Sequence, residues 1–221
     1  MTTLRAAIFD LDGTLVATEE HNQLVWRAFL AQRGLTWDDA ELKALVLGRR
    51  GLDVFGELGH VFPGEKPEDL YAEILLVDEH MKVDEPTSPI PGAVDLVRQL
   101  AASGVTVALV TSRWRAGAEE ILAELDILQH FGLLITAEDV SRGKPHPDGW
   151  LLALERLGLT ADQAIAFEDS VPGVVSATAA GLRCVAVTPA PTPQVVSLAR
   201  QVVTDLTGVD VASLRELPHN P

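Results

Sequence analysis

The chain has 221 residues, 47% of them hydrophobic and 22% charged, enough to bury a substantial core and too apolar for disorder. A balance of 17 Lys+Arg against 32 Asp+Glu leaves a net charge of −15, which argues against a nucleic-acid-binding face or an anionic-membrane surface. Cys184 is the only cysteine, no apolar run reaches the roughly 20 residues of a membrane span, and the run before Asp10 is too short for a secretion signal; a soluble, cytoplasmic monomer is expected.

In chain order, residues 4–9 (LRAAIF) are a short apolar run broken by Asp10-Leu11-Asp12-Gly13, the pattern of a buried strand ending in a polar turn. From about Val16 to Asp84 only helical spacing is found, in HNQLVWRAFLAQRG, WDDAELKALVLG and PEDLYAEILLVDEHMK. Thr36 or Trp37, ahead of Asp38-Asp39, marks a helix start, and Gly34 and Gly48 mark helix ends. Trp26, Phe29 and Leu30, at helical spacing, are expected to form this segment's own core. The Pro-rich residues 86–92 lead into a helix over 93–102. Further strands are expected at 105–110, 132–136, 164–167 and 184–188, with a helix over 149–158. The tail adds a helix, a short strand at 201–204 and a terminal helix. Strand and helix alternate, which predicts an α/β fold. A parallel sheet covered by helices takes residues 1–16 and 87–221, and residues 17–86 are inserted as a helical domain.

Ligands of such sheets sit beyond the carboxyl ends of the strands, and polar residues fall at those ends here. FDLDGTL, residues 9–15, places two carboxylates two residues apart. One can attack phosphorus while its neighbour supplies or removes a proton; alone, the motif equally reads as an Asp/Gly turn with a helix cap. Thr111-Ser112 could hold a phosphoryl oxygen or simply cap the next helix. Lys144, in GKPHPD, suits a phosphate or a carboxylate that must stay ionised, though a lone lysine is more often a surface charge. Glu168-Asp169-Ser170 could neutralise a hard cation or cap a loop. Together, Asp10, Asp12, Glu168 and Asp169 would converge at one sheet edge and repel one another unless protonated or joined by a cation. Oxygen ligands in a compact site favour Mg²⁺, and no thiolate cluster or paired-His spacing supports zinc.

In this order and spacing, FDLDGTL, VTS, the lysine of GKPHPD and FEDS resemble the haloacid-dehalogenase-like hydrolase superfamily. RGKPHPDGW and AFEDSVPGVVSATAAGL are similar to its subgroup of beta-phosphoglucomutase and small sugar-phosphate phosphatases. The resemblance spans the chain and implies a Rossmann-like catalytic core with residues 17–86 as the family's alpha-helical cap. It implies that Asp10 is the nucleophile forming an aspartyl-phosphate. Asp12 is then the general acid/base, with its backbone carbonyl on the metal. Thr111 would bind the phosphoryl group, Lys144 would pair with Asp10 and that group, and Asp169, supported by Glu168, would hold Mg²⁺.

The resemblance places hydrolysis and phosphosugar mutation on the same core. The mutases carry a cap histidine 12 residues after the nucleophile, where this chain has Asn22. His21 comes one place earlier, about 100° round a helix. The position seven after the nucleophile, often acidic in relatives, is Ala17. Both departures favour hydrolysis; a non-catalytic phosphate-binding module is the alternative of another class. Substrate contacts are expected from Ser112, Arg113, Trp114 and Arg115 after the second strand, and from His21, Asn22, Arg49 and Arg50 in the cap. The expected activity is Mg²⁺-dependent hydrolysis of a small phosphorylated metabolite, a sugar or polyol phosphate. Residues 17–86 hold 7 Lys+Arg and 15 Asp+Glu and the remainder 10 and 17, so acidity is spread over both parts.

Overall fold

Runs of Ala, Val, Ile and Leu without a polar face form strands that must be covered on both sides. The computed structural model, which describes residues 3–81 and 87–218, shows this arrangement. The chain enters through β1 (Ala6–Phe9) and then forms α1 (Glu19–Gln32), α2 (Asp39–Val46), α3 (Gly51–Glu57) and α4 (Pro67–Met81). It continues through α5 (Ala93–Ala102), β2 (Thr106–Val110), α6 (Arg115–Glu124), β3 (Phe131–Ile135) and α7 (Asp148–Leu157). The last elements are β4 (Ala164–Glu168), α8 (Val171–Ala179), β5 (Arg183–Val187), α9 (Pro193–Leu198), β6 (Gln201–Val203) and α10 (Val211–Glu216).

The six strands are parallel in the order β3-β2-β1-β4-β5-β6, so the winding reverses beside β1. Apolar residues of α5, α6 and α10 cover one face, and those of α7, α8 and α9 the other. β1 and β4 are buried along their whole length. Phe9 pairs in register with Phe167, and the two rings stack with centroids 4.3 Å apart. That stack sets the residues following them, Asp10 and Glu168, level at the same edge. A sheet of this order binds ligands at such a reversal, beyond the strand ends.

Helices α1 to α4 have a separate core, in which Trp26, Phe29 and Leu30 are buried with Phe55 and Phe62. Phe29 is fully buried and meets Trp26, Phe55 and Phe62 at centroid distances of 6.2, 5.2 and 6.0 Å. Phe29→Ala is expected to cost about 3–5 kcal/mol of folding free energy, measured by urea unfolding, because the cavity cannot collapse among rigid rings. Helix α2 starts later than Thr36 or Trp37 suggested. Its cap is Asp38, whose side chain accepts from the Glu41 N–H at 2.8 Å while Glu41 accepts from the Asp38 N–H at 3.1 Å. Helix α3 has no counterpart among the predicted elements, being seven residues long and beginning with glycine.

The two connectors between this helical segment and the sheet run side by side. The Ala17 N–H donates to Ser88 O and the Ile90 N–H to Leu15 O, both at 2.9 Å, and Val16 bridges Pro89 in antiparallel fashion. Pro86, and with it the expected boundary between 86 and 87, lies outside the described residues. Among the described residues no helix is long and apolar enough to cross a membrane.

Candidate active site

Asp10 leaves the end of β1 and is only 5% exposed. Lys144 reaches it from the connection between β3 and α7, with Nζ 2.5 Å from Asp10 Oδ1 and 2.5 Å from Glu168 Oε1. The other Glu168 oxygen accepts from the Asp169 N–H (2.8 Å), the Ser170 N–H (2.9 Å) and the Ser170 hydroxyl (3.0 Å). Glu168 is thus fully committed. It holds Lys144 with one oxygen and the start of α8 with the other. Gly13 turns beneath with φ +82°, and a Cβ there would sit 2.2 Å from Asp169 Oδ2. Only glycine satisfies both the backbone and that close approach.

Asp10, Glu168 and Asp169 each offer a carboxylate oxygen, all within 4.8 Å of one another. Burial, opposed by Lys144 and reinforced by Glu168 and Asp12, pushes the Asp10 carboxyl up to about 8. Burial and the charges of Glu168 and Asp10 hold Asp169 well above the usual carboxylate range. Burial alone would depress Lys144, but the two carboxylates raise it above its ordinary value. An all-oxygen, self-repelling donor set beside a permanently charged lysine fits a hard cation, which would relieve the repulsion that the lysine leaves.

Asp12 faces the other way. Its carboxylate pairs with Arg113, Nη2 to Oδ1 at 2.6 Å and Nε to Oδ2 at 3.1 Å, and accepts from the Thr18 hydroxyl at 2.5 Å. Burial opposes ionisation, yet Arg113 and these hydrogen bonds hold Asp12 below its usual pKa. The Asp12 side chain therefore stands apart from the three acids, and any share in metal binding falls to its backbone carbonyl. Arg113 extends to Asn22 Oδ1 at 3.4 Å, so the expected recognition residue is instead tied to the expected acid/base. Thr111 is buried, and its hydroxyl accepts from the Arg113 N–H at 3.0 Å.

Between this sheet edge and the helical segment lies a cavity of about 140 Å³, whose walls include Asp10, Asp12, Asn22, Arg49, Ser112, Arg113 and Trp114. Ser112 also donates to Gly48 O across the interface at 3.1 Å. Arg49 pairs with Glu57, while its buried Nε has no partner among the described residues. Three predicted contacts are corrected. Arg50 turns into the interface, where Asp53 and backbone carbonyls take its guanidinium. Arg115 pairs with Asp139 at 2.8 Å and Leu134 O at 3.3 Å, away from the cavity. His21 pairs with Asp78 at 2.7 Å and does not line the cavity, consistent with its rotation from Asn22. Motif reading missed Glu19, Lys43, Tyr71 and Asp78, which also line it. The Glu19 carboxyl adds to the causes that raise Asp169. Their only signal was membership of helices whose apolar faces pack elsewhere.

A parallel α/β sheet with acids, a lysine and a cavity at its winding reversal defines an open-sheet α/β protein whose ligand site lies beyond the strand ends. The chain belongs to the haloacid dehalogenase-like hydrolase family, whose model matches residues 7–187. It is 35% identical over 206 residues to validoxylamine A 7'-phosphate phosphatase of Streptomyces hygroscopicus subsp. limoneus, covering 93% of this chain and 95% of that protein. It is 35% identical over 192 residues to hexitol phosphatase A of Escherichia coli, covering 85% of each. It is a phosphoric monoester hydrolase. Among solved structures, CbbY from Rhodobacter sphaeroides with phosphate superposes with TM-score 0.82 at 23% identity, over 96% of this chain and 99% of that one. A beta-phosphoglucomutase from Clostridium difficile gives 0.81 at 20%, over 97% and 96%. These two likenesses show the fold.

Proposed function

We propose that the protein hydrolyses a small sugar or polyol phosphate with Mg²⁺, through an aspartyl-phosphate on Asp10, and that residues 17–86 act as a cap over the site. The observation that carries this reading is Lys144 bridging Asp10, which lines the cavity, and the buried Glu168, with the Asp169 carboxylate beside them. Asp10, Asp169 and the Asp12 carbonyl would hold the ion, with Glu168 in support; when bound, it supplies positive charge against the phosphoryl oxygens. A carboxylate oxygen of Asp10 attacks phosphorus as the ester P–O bond breaks; Asp12, ionised against Arg113 in the unliganded protein, would take up a proton once substrate draws Arg113 away, and gives that proton to the departing oxygen. Water then attacks the aspartyl-phosphate, Asp12 takes its proton, and inorganic phosphate leaves with Asp10 regenerated. Thr111 and Lys144 would hold the phosphoryl oxygens through both steps. The cap excludes bulk water, and its residues Asn22, Lys43 and Arg49 would face the rest of the substrate. The two phosphatase relatives, one named for a hexitol and one for validoxylamine A 7'-phosphate, support a polyhydroxylated substrate.

Product analysis tests the reading. With hexitol phosphates and hexose 1- and 6-phosphates as a panel, at least one should yield stoichiometric inorganic phosphate in the presence of Mg²⁺. An isomeric sugar phosphate without phosphate release would instead establish a mutase, and silence across the panel would overturn the substrate class.

A further inference from the structure

The cap residue Arg50 is 7% exposed, and each of its five guanidinium N–H groups has an acceptor. Nε and one Nη2 hydrogen grip Asp53 at 3.1 and 2.6 Å; the other Nη2 hydrogen donates to Ser141 O at 2.8 Å. Nη1 donates to Ala137 O at 3.1 Å and to Val140 O at 2.7 Å. The three carbonyls belong to the irregular connection between β3 and α7, which has no sheet ladder to satisfy them. Asp53 adds a fourth tie, its Oδ2 accepting from the Gly143 N–H at 2.9 Å. The chain passes so close that a Cβ on Gly143 would sit 2.5 Å from Asp53 Oδ2 and 3.0 Å from Arg50 Cβ. The next residue is Lys144.

We infer that Arg50 and Asp53 are positioning residues: a paired brace on the cap that grips the 137–143 connection and sets the Lys144 ammonium between Asp10 and Glu168. This inference rests on the proposed role of Lys144. Because Arg50 and Asp53 lie on one short stretch of the cap, their ion pair stays together when the cap lifts, whereas the four ties to the connection are lost. Cap docking and placement of Lys144 then become a single event. Substrate enters while the lysine is loosely held, and the site is completed as the cap seats. A planar fork is needed for this; lysine at position 50 could not reach three carbonyls and a carboxylate at once.

The test is a double-mutant cycle on the full-length enzyme with whichever phosphate ester the panel identifies. Arg50→Ala is expected to lower kcat on the order of 10- to 100-fold with KM within about threefold, because every guanidinium N–H is spent on Asp53 and backbone carbonyls and none is left for substrate. In a Lys144→Ala background the same change should cost less than about twofold, since the group it positions is gone. Losses that multiply, or a change confined to KM, would overturn the brace. Arg50→Lys should retain the defect, and Asp53→Asn supplies a milder variant if Arg50→Ala does not fold. Hydrogen exchange gives a readout independent of turnover: the Gly143 amide should exchange at least about tenfold faster in Asp53→Ala, with helix α7 unchanged. An unchanged Gly143 rate would overturn the inference even if hydrolysis is confirmed. An enzyme without activity but with the faster rate would overturn the phosphatase reading and leave the brace standing.

Discussion

Asp10→Asn is expected to lower kcat by about 10⁴-fold or more while leaving the fold intact. Asn is nearly isosteric, so the backbone at the end of β1, where the Asp10 N–H donates to Phe167 O at 2.9 Å, is undisturbed. What is lost is the anionic oxygen proposed to attack phosphorus, and the carboxylate oxygen that Lys144 meets at 2.5 Å. An amide oxygen is a far weaker nucleophile than a carboxylate oxygen. Steady-state phosphate release, with circular dichroism confirming the fold, checks this result. Retention of more than a tenth of wild-type turnover would remove Asp10 from the chemistry.

The second large effect is that of metal removal. Chelation with EDTA is expected to abolish turnover, and addition of Mg²⁺ to restore it, through a loss of about 10³-fold or more in rate. An independent readout comes from protonation. Without a cation, burial first and then neighbouring carboxylates raise Asp10 to about 8 and Asp169 well above its ordinary value. Both therefore bind protons in the folded state that the unfolded chain releases. Stability of the metal-free protein should accordingly fall as pH rises from about 4 to about 8, the window between the ordinary and the raised Asp10 values. Mg²⁺ should displace those protons, so that binding near pH 7 releases on the order of one to two protons. Its gain in melting temperature should grow across the same window. Calorimetric titration in buffers of different ionisation enthalpy measures the proton count. Binding without proton release, or no stabilisation at any pH, would contradict the site as described.

Local chemistry made much of the protein legible before any coordinates. The apolar runs that become β1, β2, β4 and β5 lack a polar face, which identifies buried parallel strands. Polar residues immediately after such runs must fall at the carboxyl edge, so Asp10, Thr111 and Asp169 could be placed together. Lys144 was legible by its motif rather than its strand, since eight residues separate Ile135 from Lys144 and no period governs that stretch. Helix α3 escaped because seven residues opening on glycine carry too short a pattern.

Partner choice was beyond the sequence. Arg49, Arg50, Arg113 and Arg115 have the same side chain and the same local signals, yet each is spent differently. Arg113 closes on Asp12 and Arg115 on Asp139; Arg49 takes Glu57, and Arg50 grips a connection some ninety positions away. Likewise His21 and Asn22 are adjacent in the chain, but one lies against Asp78 and the other reaches into the cavity. Strand, helix and turn follow from periods and backbone preferences that act over a few residues, so the sequence alone determined the sheet, the inserted helices and the acids at the edge. Which charge meets which is settled by distances between elements, because a Coulomb or hydrogen-bond partner is selected through space, and only the tertiary structure decided that.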